Sequence, residues 1–171
     1  MRDQSNPARL LVVMGVAGCG KTTIGEHLAA ETGGTFLDGD AFHPPANIEK
    51  MSRGDPLTDA DRWPWLEIFG REIASRKGLV IGGCSSLKRA YRDVITKAAG
   101  EPVLFICLDG SRELIADRMG KREGHFMPTS LLDSQFATLE IPAKDENAIL
   151  VDIAATTGKI VADIKRQLDD R

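Results

Sequence analysis

Five short apolar runs, separated by longer amphipathic stretches, set the pattern of this chain. Leu10-Leu11-Val12-Val13-Met14, Thr35-Phe36-Leu37-Asp38, Leu79-Val80-Ile81, Val103-Leu104-Phe105-Ile106-Cys107-Leu108 and Ala148-Ile149-Leu150-Val151 read as strands. Helical periodicity covers 21–32, about 87–99, 111 to about 121, and 156–168. Apolar runs without polar alternation belong to strands covered on both faces, and strand–helix alternation joins them in parallel. The expectation is an open α/β domain with a five-stranded parallel sheet between helical layers.

Two stretches break the alternation. Residues 41–77 are too long for a plain crossover and carry Pro44, Pro45, Pro56 and Pro64 as breaks. Within them, Thr58 followed three residues later by Asp61 is a capping-box signal for a helix reaching to about residue 76. A shorter insertion, at about 120–129, contains Arg122, Gly124 and His125. Insertions in open α/β domains are where substrate sites and lids are built.

Size and composition narrow the options. At 171 residues the chain fits one domain, 1–171, with the two insertions as its acceptor-binding and lid parts. Lys and Arg total 22 against 25 Asp and Glu, so a net charge of −3 argues against a coat for nucleic acid or an anionic membrane. Neither is expected as a partner. The three cysteines, Cys19, Cys84 and Cys107, are widely spaced and form no metal-binding pattern, which suits buried thiols in a reducing compartment. Residues 1–9 are polar and lack the apolar stretch of a secretory signal, and the longest apolar run is far shorter than the ~20 residues a bilayer span needs. The expected location is cytoplasmic.

Gly15-Val16-Ala17-Gly18-Cys19-Gly20-Lys21-Thr22 fits G-x-x-x-x-G-K-[ST], with an apolar strand before it and a helix after it. Glycines let the backbone close round an anion with its N–H groups inward, and the helix adds the positive end of its dipole. The motif assigns ATP to this loop and to the adjoining Thr23. Lys21 reaches the β- and γ-phosphates, and the Thr22 hydroxyl ligates Mg²⁺. Cys19 is either a reactive thiol at a helix N-terminus or simply a small residue that fits. Among nucleotide-binding classes, a switch GTPase lacks its N-K-x-D motif here; Ala143-Lys144-Asp145 is the nearest approach. Asp109 and Ser111 read as caps of the next helix rather than as a metal-side acid. The chain also lacks room for the subdomains of most motor ATPases. A small-molecule kinase leads, with a non-catalytic nucleotide-binding regulator as the alternative from another class.

On the acceptor side, Asp38 and Asp40 flank Gly39 at the carboxyl end of the second strand, where ligands bind in such sheets. The run Asp38-Gly39-Asp40-Ala41-Phe42-His43-Pro44-Pro45-Ala46-Asn47-Ile48-Glu49-Lys50-Met51 resembles the gluconokinase family of small phosphate-loop sugar-acid kinases. So do residues 54–66, 84–93, 124–128 and 134–140, in the family's order, covering about 14–142. Gly82-Gly83 and Ser86 depart from the family pattern by small-for-small changes.

The resemblance implies ATP- and Mg²⁺-dependent phosphorylation of D-gluconate to 6-phosphogluconate by a homodimer. It also implies a three-layer P-loop NTPase fold akin to shikimate and nucleoside monophosphate kinases, with strand order 2-3-1-4-5. By the same resemblance Asp40 engages the hydroxyl to be phosphorylated, and Asp38 serves the metal side or the local structure. Arg118 takes adenine and Arg122 the charge of the transferring group, although a basic helix end facing its own dipole also fits this spacing. A substrate carboxylate calls for a guanidinium. Arg62 and Arg92 lead, ahead of Lys88 and Arg89, and each is open to being a solvated helix charge. His43 and Gln135 suit sugar hydroxyls or a capping and packing role. Trp63 and Trp65 read as packing in the acceptor insertion. A shikimate-like or other sugar-acid kinase is the nearest alternative.

Overall fold

The computed structural model describes residues 8–120 and 129–171. Its elements run β1 (Leu10–Met14), α1 (Lys21–Thr32), β2 (Thr35–Asp38), a 3₁₀ turn (Gly39–Phe42), α2 (Pro45–Ser52), α3 (Asp59–Ser75), β3 (Val80–Gly83), α4 (Arg89–Ala99), β4 (Val103–Asp109), α5 (Arg112–Gly120), α6 (Thr129–Thr138), β5 (Ala148–Asp152) and α7 (Thr157–Asp169). The strands form one parallel sheet in the order β2-β3-β1-β4-β5. This is the expected topology.

β1 shows why the fold has three layers. Successive strand side chains point to opposite faces. Leu11 and Val13 pack with Ile24 and Leu28 of α1 and with Ile160, Val161 and Ile164 of α7. Leu10, Val12 and Met14 pack on the other face with Leu66, Phe69 and Ile73 of α3 and Tyr91 and Ile95 of α4. Each fully buried side chain of this size contributes about 1.5–3 kcal/mol. Removing either helical layer exposes half of the central strand.

Three local readings needed tertiary information. β3 continues past Ile81 through Gly82 and Gly83. A Cβ at Gly82 would meet the Phe69 ring at 2.5 Å, so the missing side chain is what lets α3 lie close to the sheet. Pro64 sits inside α3 without ending it. The expected capping box is present, with Thr58 as N-cap and Asp61 bonded back to it, and the next turn buries Trp65 and Leu66. Pro45, read as a break, instead opens the short helix α2 in the first turn, where its missing N–H costs nothing.

Arg92 requires a correction. It was expected to face the substrate, yet its residue is 2% exposed and its guanidinium is engaged inside the fold. Nε and Nη2 donate to the Glu146 carboxylate at 2.7 and 3.2 Å, and Nη1 donates to the Ser86 carbonyl at 2.8 Å. Glu146 also accepts from the Ala143 amide at 2.8 Å. The pair ties α4 and the loop after β3 to the segment entering β5. Its charge is matched internally, so it offers no free cation to a ligand.

Removing one partner of a buried pair strands the other charge. Glu146→Ala is therefore expected to lower unfolding stability by about 3–5 kcal/mol in urea denaturation. A Glu146→Leu, Arg92→Met double variant should recover most of that loss. A single variant as stable as the parent would show that the pair contributes nothing.

Candidate active site

The phosphate loop follows directly from the burial of β1. At the strand's carboxyl end the chain turns through Gly18 and Gly20, at φ 80° and 98°, before entering α1. These left-handed conformations suit glycine, and a Cβ at Gly18 would also strike the Met119 side chain at 2.5 Å. Gly20 is the N-cap of α1, no side chain caps that end, and the first turn holds no acidic residue. Free N–H groups and an uncompensated positive dipole end therefore face the crevice. Lys21 Nζ folds back on the loop, donating to the Gly15 and Val16 carbonyls at 3.0 and 3.1 Å. Thr22 and Thr23 are exposed on the first turn of α1.

A pocket of ≈ 280 Å³ opens beside the loop, lined by Gly18, Cys19, Gly20, Thr23, Ile24 and Arg118, and by 155–157 and Ile160 at the start of α7. Arg118 Nη2 donates to the Ala155 carbonyl at 3.3 Å, so α5 and the β5–α7 loop form opposite walls. Arg118, expected on the base side, lines this pocket. Thr156 and Thr157 were missed because they read only as the start of the last helix, where Thr156 is indeed the N-cap. Arg122, together with Lys121, Gly124 and His125, lies outside the described residues.

The wall that carries Asp38 and Asp40 is built on α3. Trp65, 5% exposed, donates from Nε1 to the Gly39 carbonyl at 2.8 Å, pinning the turn between Asp38 and Asp40. Asp38 Oδ1 accepts from the Asp40 amide at 3.0 Å and caps the 3₁₀ turn. The Asp40 side chain is 84% exposed, while His43 beside it is 5% exposed, with Nε2 3.9 Å from Asp40 Oδ1. The imidazole stacks on the Trp65 indole at 4.0 Å between ring centres. Burial lowers the His43 pKa from the usual histidine range; Asp40 opposes this and Arg62 adds to it. Burial pushes the Cys84 thiol up to about 11. Gly39 lies against Gly83 and Cys84, and the Gly15 amide donates to the Ser85 carbonyl at 3.2 Å, so the Asp38–Asp40 turn and the phosphate loop flank the same loop after β3.

Arg62 and Lys88 stand at the mouth of that wall with Asp59 and Tyr91. Tyr91 donates its hydroxyl proton to Asp59 Oδ1 at 2.5 Å, Lys88 Nζ lies 3.4 Å from Asp59 Oδ2, and Arg62 Nη1 lies 3.5 Å from Asp59 Oδ1. The Tyr91 hydrogen bond leads in holding the Asp59 carboxyl below its usual range. Both cations also lie over the Tyr91 ring, at 5.6 and 5.5 Å. Trp63 packs edge-on against that ring at 5.5 Å. Arg89 is drawn away by Asp145 at 2.7 Å. Asp59 and Tyr91 carried no sequence signal of their own; only folding brings α3 and α4 together.

Gln135 is placed on the nucleotide side rather than among the acceptor groups. Its Oε1 accepts from the Ala17 amide of the phosphate loop at 2.5 Å. Nearby, Glu140 accepts from the Arg89 amide at 3.0 Å and its own amide donates to the Leu87 carbonyl at 2.7 Å. α6, through Gln135, and the segment after it, through Glu140, therefore join the phosphate loop to the start of α4. Ser111 caps α5 as expected, accepting from the Leu114 amide at 3.1 Å, while Asp109 remains the last residue of β4. All three cysteines are buried, and burial holds the Cys107 thiol up at about 12.

A phosphate loop facing an exposed carboxylate across one crevice, on this sheet, defines a small-molecule kinase of the P-loop class. The family model described as an AAA domain matches residues 10–142, and the gluconokinase of Gluconobacter oxydans (strain 621H) is 52% identical over 147 residues, 84% of this chain and 82% of that protein. The chain belongs to the gluconokinase family. The thermosensitive gluconokinase of Escherichia coli (strain K12) is 49% identical over 81% of this chain and 75% of its own length. The crystal structure of a gluconokinase from Sinorhizobium meliloti 1021 superposes with a TM-score of 0.87 at 47% identity, covering 96% of this chain and 93% of that one.

The start of α3 carries a test of its own. Lys50 Nζ contacts Asp61 Oδ2 at 2.7 Å and the Thr58 amide donates to the same oxygen at 2.9 Å, holding the Asp61 carboxyl at about 2. A depressed carboxyl stabilises the fold fully above its unfolded value of 3.8, and that contribution fades as pH falls toward about 2. In Lys50→Ala the Asp61 midpoint, followed by carboxyl NMR, should rise toward 3.8. An unmoved midpoint would remove Lys50 as its main cause.

Proposed function

We propose that this chain transfers the γ-phosphoryl group of ATP to the primary hydroxyl of D-gluconate, giving 6-phospho-D-gluconate. The observation that carries the reading is the exposed Asp40 carboxylate just after β2, on the same edge of the sheet as the phosphate loop that carries Lys21, with both turns touching residues 83–85. The 52% identity to a gluconokinase supports the choice of acceptor.

In this reading residues 15–20, Lys21 and Thr23 hold the triphosphate, and Arg118 with the β5–α7 loop holds adenine. Among the described residues no group of three or more His, Cys, Asp or Glu could hold a metal ion. Mg²⁺ is commonly held by one or two protein oxygens together with substrate phosphates. The Thr22 hydroxyl and the Asp38 carboxylate are hard oxygen donors suited to it. When bound, Mg²⁺ neutralises charge on the β- and γ-phosphate oxygens.

Asp40 orients the acceptor hydroxyl and takes its proton, and His43 donates a hydrogen bond beside it. Arg62, with Lys88, attracts the substrate carboxylate. Because the transition state of phosphoryl transfer is loose, orientation and charge placement supply most of the effect. Arg122, from the lid, stabilises the transferring group. Among the described residues no helix is long and apolar enough to cross a membrane. By family analogy the whole chain works as one kinase domain in a cytoplasmic homodimer.

The direct test is ADP release with gluconate, other aldonates, shikimate and nucleoside monophosphates compared side by side. Gluconate should give the largest kcat/KM. Stimulation by another acceptor with none by gluconate would overturn the substrate. Asp40→Asn should cut turnover by ~10² or more while ATP binding persists. Near-normal turnover would take Asp40 out of the reaction. Lys21→Ala should instead impair the nucleotide side.

A further inference from the structure

Asn47 is a polar side chain on α2 that is 3% exposed. Its Nδ2 lies 2.9 Å from the Asp61 carbonyl oxygen and 3.2 Å from His43 Nδ1. A backbone carbonyl can only accept, so the first contact fixes which end of the amide is nitrogen. One N–H of that group goes to Asp61, and the other is directed at the imidazole. Nδ1 must therefore present a lone pair, because a proton there would set two donors against each other. The ring proton is left on Nε2, the nitrogen facing Asp40. Trp65 holds the ring plane by stacking, 17° from parallel. The indole is in turn fixed by its bond to Gly39.

We propose that Asn47 is a positioning residue: it locks His43 as the neutral Nε2–H tautomer, so that His43 serves only as a hydrogen-bond donor to the acceptor hydroxyl beside Asp40. The proposal rests on the assignment of Asp40 to the acceptor side. It assigns a division of labour between adjacent groups. A neutral imidazole with a free Nε2 lone pair would compete with Asp40 for the acceptor proton. An imidazolium would form a close ion pair with Asp40 and weaken it as a base. Locking the proton on Nε2 removes both alternatives and leaves proton acceptance to the carboxylate.

The surroundings act in the same sense. The charged groups acting on the ring are Asp40, from the 3₁₀ turn, and Arg62, from α3. From α2 the ring meets the neutral Asn47 amide, itself anchored by the Asp61 backbone, and from α3 the uncharged Trp65 indole stacks on it. Burial and Arg62 both disfavour the imidazolium, against Asp40. Asn47 thus couples the acceptor residue His43 to the capped first turn of α3 through a single NH₂ group.

Long-range ¹H–¹⁵N spectra of the imidazole nitrogens in the full ¹⁵N-labelled chain test this without turnover, with His43 assigned by its loss in His43→Gln. At pH 7 the His43 signals should show an unprotonated Nδ1 and a protonated Nε2. An Nδ1–H tautomer or an imidazolium at that pH overturns the proposal. Asn47→Asp replaces the donor by a carboxylate and should move the proton to Nδ1, raising the His43 midpoint by ~1–3 units. An unchanged tautomer and midpoint in the folded variant also overturns it. In kinetics, His43→Gln keeps an N–H donor and should stay within about tenfold of the parent kcat, whereas His43→Leu should lose about 10–100-fold. Equal losses in the two variants would show that the ring does more than donate. Should Asp40→Asn turn over normally, the acceptor assignment fails while the ring-nitrogen result stands, so the two failures are separable.

Discussion

β1 has no face open to water: Leu10, Leu11, Val12, Val13 and Met14 are all between 0 and 2% exposed. A strand buried on both sides can accept polar chemistry only at its ends, because any polar side chain along it would need a partner inside the core. The amino end of the sheet is occupied by Arg9 and Glu101, paired at 2.7 Å. The carboxyl end opens into the phosphate loop, the Asp38–Asp40 turn and the loop after β3, which meets the phosphate loop where the Gly15 amide donates to the Ser85 carbonyl at 3.2 Å. Parallel pairing aligns these ends, so nucleotide and acceptor groups converge although they are far apart in the chain.

Convergence alone would leave the acceptor turn loose, since it follows a short, partly exposed edge strand. α3 removes that freedom. The same helix buries Phe69 and Ile73 against the sheet, sends the Trp65 indole to Gly39 and presents Asp59 and Arg62 toward Tyr91 of α4. Its first turn is closed by the Thr58–Asp61 box, and the Asp61 carbonyl receives Asn47. Core packing and site geometry are therefore one structure here, and a change that shifts α3 moves the acceptor turn with it.

Local chemistry was legible in the sequence where it depends on neighbours along the chain. The phosphate loop, the capping box at Thr58, the length of α1 and the presence of all five strands follow from patterns of contiguous residues. α2 was obscured because Pro44 and Pro45 mark either a break or a helix start, and the residues after them do not decide between the two. Gly82 and Gly83 were left out of β3 because an apolar count does not see residues that take part by being small. The family resemblance carried the strand order and the acceptor assignment, which periodicity alone could not supply.

The sequence by itself determined the class of fold, the phosphate loop with Lys21 and Thr22, and the paired carboxylates Asp38 and Asp40 at the end of β2. Only the tertiary structure decided how the remaining charges and amides are used. Arg62 and Arg92 look alike as helix arginines, but Glu146 reaches one of them in the core and the other stays at the mouth of the crevice. Gln135 serves the phosphate loop, and Asn47 is anchored to the Asp61 carbonyl, through contacts 118 and 14 residues apart in the chain. The physical reason is the same in each case. A backbone motif meets its requirements within a few residues, whereas a side chain's hydrogen-bond partner depends on which elements the core brings together.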